Sequence, residues 1–111
     1  MAEDVLLVLS TFPDAETARR ISTELVDGKL VACANVLPQV HSIYQWQGKL
    51  EAGDETLVFF KTSAARFAEL QGKLRELHPY EVPEIIALNL SEGLPDYLRW
   101  VHESCAPLPV Q

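Results

Sequence analysis

The chain has 111 residues, 48% of them hydrophobic, and its formal net charge is −7. This length fits one domain over residues 1–111 and leaves no room for a second. The excess of carboxylates argues against a nucleic acid partner, since a phosphate backbone needs a basic protein face. No apolar run approaches the ~20 residues that span a bilayer, so we expect no insertion into a membrane.

The start of the chain and its cysteines bear on the cellular compartment. Residues 1–4 are acidic, whereas a secretory signal begins with positive charge, so we expect a cytoplasmic protein. Cys33 and Cys105 are 72 positions apart and neither belongs to a CxxC motif. This spacing favours two reduced thiols over a disulfide framework or a zinc knuckle.

The first part of the chain predicts a strand, a helix and a long second strand. Residues 5–9 form a short apolar run, typical of a strand that is buried on both faces. Asp14 is a plausible N-cap of the following helix, and Gly28 is placed to end it. Residues 30–46 then have β-type composition, although strands usually have ~3–10 residues. Because Pro38 cannot donate to a sheet ladder, we expect a bulge or an edge position there.

A tight turn is predicted between this strand and the next. Gly48, after Gln47, can adopt the positive φ that a short hairpin requires. The return strand is expected over residues 48–61. In its centre, residues 56–60, apolar side chains would face both sides of the sheet. This pattern does not fit a sheet that has one face exposed to solvent.

The remaining elements are a helix, a strand and a short terminal helix. Thr62 or Ser63 is expected to cap the second helix, whose apolar residues recur at spacings of three and four over residues 67–77. A strand follows over residues 84–90. The last helix is expected to start with Pro95 as its first residue.

The predicted order, β-α-β-β-α-β with a C-terminal helix, indicates an α+β fold of the ferredoxin-like kind. In this arrangement two helices cover one face of a four-stranded antiparallel sheet. The other face would be bare and apolar, which is an aggregation hazard. We therefore expect several copies to pack these faces together, with the long hairpin of the second and third strands, residues 30–46 (β2) and 48–61 (β3), reaching a neighbouring sheet.

Several blocks of the sequence form a distinctive pattern. In chain order they read LVACANVLP at residues 30–38, SIYQWQGK at 42–49, KT at 61–62, HPYEVPEI at 78–85 and YLRW at 97–100, with Glu55 before the third block. This pattern resembles the CutA proteins, which are named for divalent-cation tolerance. The resemblance implies a ferredoxin-like fold, a compact homotrimer of PII-like architecture, and copper binding.

Three residues are candidate metal ligands, namely Cys33, His78 and Glu81. Copper(I) favours thiolate and copper(II) favours imidazole, so a thiol near a histidine of the same or a neighbouring subunit would suit copper. Each residue also has a simpler interpretation. Cys33 fills core space, His78 stabilises a helix C-terminus as a cation, and Glu81 pairs with a base at a subunit contact. His41 and His102 are weaker candidates.

Further residues are candidates for a ligand cleft or for a contact between subunits. Aromatic side chains with one polar atom suit the wall of a ligand pocket, and they equally suit the centre of a protein interface. A lysine between a strand and a helix N-terminus would suit an anion. These candidates are Tyr44, Trp46, Lys61, Tyr80, Glu84 and Trp100.

Two prolines make the segment around Tyr80 stiff. Pro79 and Pro83 fix their own φ and restrict the residues before them, so Tyr80 and Glu81 are oriented before any contact forms. We expect these residues to form a rigid corner at a cleft between subunits.

These features favour a cytosolic homotrimer that binds copper, another divalent metal or a small ligand at clefts between subunits and that takes part in the response to metal ions. The alternative is a structural or signalling adaptor trimer, PII-like, whose main role is to dock a partner. We do not expect an enzyme, because the chain has no nucleophile motif, HExxH or phosphate loop. No organic cofactor is evident.

Overall fold

The computed structural model describes residues 4–107 and shows an α+β architecture. The acidic start of the chain, apart from Asp4, and the end of the proline-rich tail lie outside the described residues. The elements in chain order are β1 (Val5–Phe12), α1 (Ala15–Asp27), β2 (Cys33–Trp46), β3 (Lys49–Ser63), α2 (Phe67–Leu77), β4 (Ile86–Asn89) and α3 (Pro95–Ser104).

Helix α1 begins and ends where the sequence predicts. The Asp14 carboxylate accepts a hydrogen bond from the Thr17 N–H at 2.7 Å, which satisfies one of the free amides of the first turn. This bond is the main reason that the pKa of Asp14 is lowered. Gly28 caps the other end, where its N–H donates to the Glu24 carbonyl.

The four strands form one antiparallel sheet in the order β2-β3-β1-β4. The predicted irregularity at Pro38 is confirmed, since the register of β2 on β3 shifts between Leu37 and Val40. The predicted turn is also confirmed. Gln47 has a φ of 51° and Gly48 a φ of 79°, the pair of positive angles that a two-residue hairpin turn requires.

The predicted bounds of β2 and β4 differ from the structure. Strand β2 begins at Cys33 rather than at residue 30, because the chain is still leaving a turn at Lys29, where φ is 62°. Strand β4 has only the four residues that pair with the first half of β1, so it is shorter than the predicted 84–90. Helix α3 does begin at Pro95.

The predicted cap of the second helix is wrong. Neither proposed residue caps α2, because a 3-10 turn, Ala64–Arg66, precedes it. Ser63 makes no capping hydrogen bond with its side chain. The Thr62 hydroxyl instead donates to the Leu30 carbonyl at 2.7 Å, a contact that joins distant parts of the chain.

The two faces of the sheet have different environments. One face carries α1 and α2, and its buried core includes Val8, Phe12, Ile21, Phe60 and Leu74. The opposite face, here called the open face, carries the alternate residues of the strands. Helix α3 packs against β1 and β3, in a smaller cluster with Val5 and Ala32. Within residues 4–107, no helix has the length and apolar character needed to cross a membrane.

The far half of the hairpin extends beyond the rest of the sheet. The pairing of β1 with β3 stops at Phe12 and Thr56, so residues 49–55 of β3 pair with β2 alone in the described chain. This two-stranded segment, here called the arm, contributes to the 48 Å long dimension of the subunit. Its exposed side chains include Ile43 and Leu50.

Candidate functional site

His78 holds the start of the proline-rich corner in place. It follows α2, is 7% exposed, and its ring stacks on Phe12 at 4.6 Å between centroids. Its Nδ1 accepts the Tyr80 N–H at 3.1 Å, and its Nε2 lies 2.8 Å from the Thr11 carbonyl. Because a carbonyl only accepts, Nε2 carries the proton and both ring nitrogens of the neutral imidazole are engaged.

Burial keeps this imidazole neutral. Loss of solvent lowers the pKa of His78, and this effect outweighs the opposing effects of the Thr11 carbonyl and Glu55. The interpretation of His78 as a cation at the end of α2 is therefore wrong at neutral pH. The residue acts instead as a neutral link between β1 and the corner.

Tyr80 connects the corner to β3. Its hydroxyl donates to Glu55 Oε2 at 2.6 Å, and its ring lies 4.8 Å from the His78 ring. Burial, and then the bond to Glu55, raises the pKa of Tyr80. The hydroxyl therefore stays protonated, and a continuous set of hydrogen bonds runs from Thr11 through His78 and Tyr80 to Glu55.

A cavity of about 660 Å³ lies beside this corner. Strand β1, the hairpin and the corner all contribute to its wall. It contains three aromatic rings, those of Tyr44, Trp46 and Tyr80, and three carboxylates, those of Glu55, Glu81 and Glu84. The other lining residues are Thr11, Ser42, Ile43, Pro79 and Val82.

Five of the residues singled out from sequence meet at this cavity. They are Tyr44, Trp46, Tyr80, Glu81 and Glu84. Sequence reasoning did not select Glu55 as a site residue, although it belongs to the pattern that carries the family resemblance. Its role depends on the register of β3 and on the position of Tyr80, which are both tertiary features.

The other predicted site residues do not line this cavity. Cys33 faces Lys61 across the β2–β3 pair, and its sulfur lies 3.7 Å from the Tyr97 hydroxyl. The Tyr97 ring lies 5.5 Å from that of Trp100 on α3. Lys61 donates to the side chain of Asn35. These residues form a second group on the open face.

Within one chain, the candidate metal ligands do not form a metal centre. Among residues 4–107, no three His, Cys, Asp or Glu side chains are arranged so that they could hold an ion. Cys33 does not line the cavity that contains Glu81, and His78 uses both ring nitrogens within the subunit. A ligand role for His78 therefore requires one of these hydrogen bonds to break.

The sequence matches a family model described as CutA1 divalent ion tolerance protein over residues 6–104. The divalent-cation tolerance protein CutA of Thermus thermophilus is 44% identical over 98 residues, which are 88% of this chain and 95% of that protein. The mouse Protein CutA is 43% identical over 84% of this chain, which spans only 52% of the mouse protein. The names of the family model and of the Thermus protein refer to tolerance of divalent ions. Neither name describes a catalysed reaction.

The fold is also similar to those of solved CutA structures. A CutA from Xylella fastidiosa superposes with a TM-score of 0.90 at 43% identity, covering 93% of this chain and 99% of that one. A protein from Archaeoglobus fulgidus, described as a periplasmic divalent cation tolerance protein CutA, has a TM-score of 0.88 at 33% identity and covers 92% of this chain and 99% of that one.

Proposed function

The chain belongs to the CutA1 divalent ion tolerance family, and on that basis we propose that it is a homotrimer that takes up a divalent metal ion or another small ligand at clefts between subunits. In this proposal the protein takes part in the response to metal ions. Binding, rather than catalysis, is its activity.

The cavity beside Tyr80 is the observation that carries the proposal. Its volume of about 660 Å³ falls in the range of ~300–1,000 Å³ that is usual for small-molecule sites. Three carboxylates line it, so a cation is the favoured occupant on charge alone. The prolines and the bonds of His78 and Tyr80 fix the wall in advance, which lowers the entropic cost of binding.

The open face supports the homotrimer. Leu9 and Phe59 pair across it, and Ile86 and Leu88 on β4 are 52% and 53% exposed. Apolar side chains on such a face are stabilised when another subunit covers them. We infer that copies of the chain associate through this face in a PII-like trimer of ferredoxin-like subunits.

The arm supports association for a separate reason. A hairpin without further strands is marginally stable in water, yet this arm has exposed Ile43 and Leu50 at 67% and 70%. Pairing or packing of the arm against a neighbouring subunit would bury them. The cavity has Tyr44 and Trp46 from the same hairpin in its wall, so association would place a neighbour near this cavity.

Copper is the metal we propose, with donors contributed by more than one subunit. One subunit does not supply a copper centre among its described residues. Cys33 on the open face and Glu81 in the cavity wall are the proposed donors. His78 is a further donor only after its ring leaves Thr11 or Tyr80.

A cytoplasmic location is also part of the proposal. Cys33 and Cys105 are free thiols, which suits a reducing compartment. The related protein described as periplasmic makes the location a specific question for this chain. Cell fractionation with antibody detection answers it, and recovery in an exported fraction would contradict a cytoplasmic location.

Two measurements on the purified full chain test the main proposal. Light scattering should give about three times the 12.4 kDa mass of one chain. Calorimetric titration with copper(II) should saturate at a fixed ratio of copper to subunit. Cys33→Ser or Glu81→Gln should weaken this binding, whereas Glu92→Gln, at an exposed loop carboxylate outside the cavity, should not.

The outcome separates the two functions considered from the sequence. A trimer that shows no saturable metal binding would contradict the metal-binding role and favour a structural or signalling adaptor that docks a partner. A stable monomer would contradict the trimer.

A further inference from the structure

The cavity has an unusual combination of aromatic rings and carboxylates. Tyr44 and Trp46 come from β2, and Tyr80 from the corner, while Glu55, Glu81 and Glu84 supply the charge. Among the described residues that line it there is no Lys, Arg or His. Three carboxylates therefore share one cavity with three aromatic rings and with no Lys, Arg or His among the described lining residues.

The carboxylates that one chain supplies here do not suit a hard dication. A hard dication such as Ca²⁺ needs six to eight oxygen ligands at about 2.3–2.6 Å. The three carboxylates do not form such a cluster in the described structure. One of them, Glu55, already accepts the hydroxyl of Tyr80 at 2.6 Å.

An organic cation has the opposite requirements. The charge of an alkylated ammonium group is spread over its methyl or methylene groups, and the faces of Trp and Tyr attract it. It needs a roomy site with aromatic walls and nearby negative charge, rather than close oxygen ligands. A cavity of about 660 Å³ has room for such a group and for a short substituent.

The wall is also set before any ligand arrives. Tyr80 is held at its hydroxyl by Glu55 and at its N–H by His78. Pro79 restricts the backbone on one side of it. The Tyr80 side chain therefore loses little freedom on binding.

We propose that this cavity binds a small organic cation with an alkylated ammonium group, held by the rings of Tyr44, Trp46 and Tyr80 and by the carboxylates of Glu81 and Glu84. The inference rests on the proposed function in one respect, namely that the cavity is a ligand site. It specifies the chemical class of the ligand.

Choline and its uncharged carbon isostere, 3,3-dimethylbutan-1-ol, form a matched pair of probes. Calorimetric titration of the full-length protein at constant ionic strength should show saturable binding of choline. The isostere has the same shape without the charge, so its affinity should be at least about tenfold lower. Equal affinities, or no saturable binding of choline, would overturn the inference.

Trp46 and Trp100 provide a matched pair of variants, since they are 40% and 44% exposed and only Trp46 lines the cavity. Trp46→Leu should weaken choline binding about tenfold, and Trp46→Phe, which keeps a ring, should weaken it less. Trp100→Leu should leave it unchanged. A loss of the same size in Trp46→Leu and Trp100→Leu, both checked for folding by circular dichroism, would contradict the assigned site.

A second pair of variants tests the charge. Glu84→Gln should weaken the binding of choline but not of the isostere, and Glu92→Gln should affect neither. If copper saturates while choline does not, the organic-cation inference fails and the proposed metal-binding function stands. If choline saturates while copper does not, the metal role fails and the organic-cation site stands.

Discussion

His78 and Tyr80 show how two side chains can stabilise a corner. Both ring nitrogens of His78 form hydrogen bonds with the backbone, at Thr11 and Tyr80, and the Tyr80 hydroxyl donates to Glu55. The polar side-chain atoms of His78 and Tyr80, which burial removes from water, therefore have hydrogen-bond partners. The consequence is a rigid wall for the adjacent cavity.

Protonation of His78 should destabilise the folded protein. Its pKa in the folded state lies below the ordinary value of 6.5. The unfolded chain thus takes up a proton as pH falls through 6.5 while the folded protein does not, and the free energy of unfolding decreases. It should be highest above pH 6.5. Urea unfolding at pH 7.5 and at pH 5.5 measures the difference.

A pair of histidine variants separates this effect from general acid denaturation. His78→Gln should reduce the loss of stability between pH 7.5 and pH 5.5. His41→Gln, at an exposed arm position beside Asp54, is the control for loss of a histidine elsewhere in the chain. An identical pH dependence in the wild type and in His78→Gln would show that His78 is not responsible.

The Tyr80 hydroxyl should contribute measurably to stability. Tyr80→Phe removes the bond to the Glu55 carboxylate and should lower the free energy of unfolding by about 1–2 kcal/mol. Tyr97→Phe, whose hydroxyl lies 3.7 Å from the Cys33 sulfur, a weak hydrogen-bond partner, should cost less. A double-mutant cycle with Glu55→Gln should give a coupling energy for the Tyr80–Glu55 pair, and a zero coupling would contradict the proposed link.

At the scale of elements, the sequence predicts well the helix ends that depend on residues close together in the chain. Helix α1 has its N-cap at Asp14 and its end at Gly28, and both depend on neighbours within one turn. The start of α2 was mispredicted because Thr62 bonds to Leu30, 32 positions away. Strand β4 was predicted too long, since its length is set by its pairing with β1.

The hairpin turn should depend on a glycine at position 48. Gly48 has a φ of 79° and no atom within 4 Å of an added Cβ, so Gly48→Ala would strain the backbone without a clash. The expected loss is about 1–2 kcal/mol. Gly53→Ala, on the same hairpin and equally uncrowded, should cause no comparable loss. Thermal unfolding of both variants is the measurement, and equal melting temperatures would refute the requirement for glycine.

At the scale of the whole molecule, the sequence predicted the residues of the cavity better than their partners. Prolines marked the corner, and aromatic residues marked the hairpin, so five cavity residues were found. Glu55 joins them through the fold alone. Lys61 and Trp100 are predicted cleft residues and Cys33 is a predicted metal ligand, but none of the three lines the cavity.

The open face should control association. Leu88→Asp places a charge on β4, where the side chain is 53% exposed, and it should produce a folded species of lower mass in light scattering. Leu94→Asp, at a 70% exposed position just before α3, should keep the mass of the wild type. A Leu88→Asp protein with unchanged mass at all concentrations would show that β4 is not part of the interface.

The position of β1 has a consequence for biosynthesis. Leu6 pairs with Asn89, 83 positions later, so the sheet cannot close until residue 89 has been made. At ~5–20 residues per second, β1 waits roughly 4–17 s for β4. The β2–β3 hairpin is local and can form first. In pulsed hydrogen exchange, hairpin amides should become protected before those that join β1 to β4, and the reverse order would exclude this route.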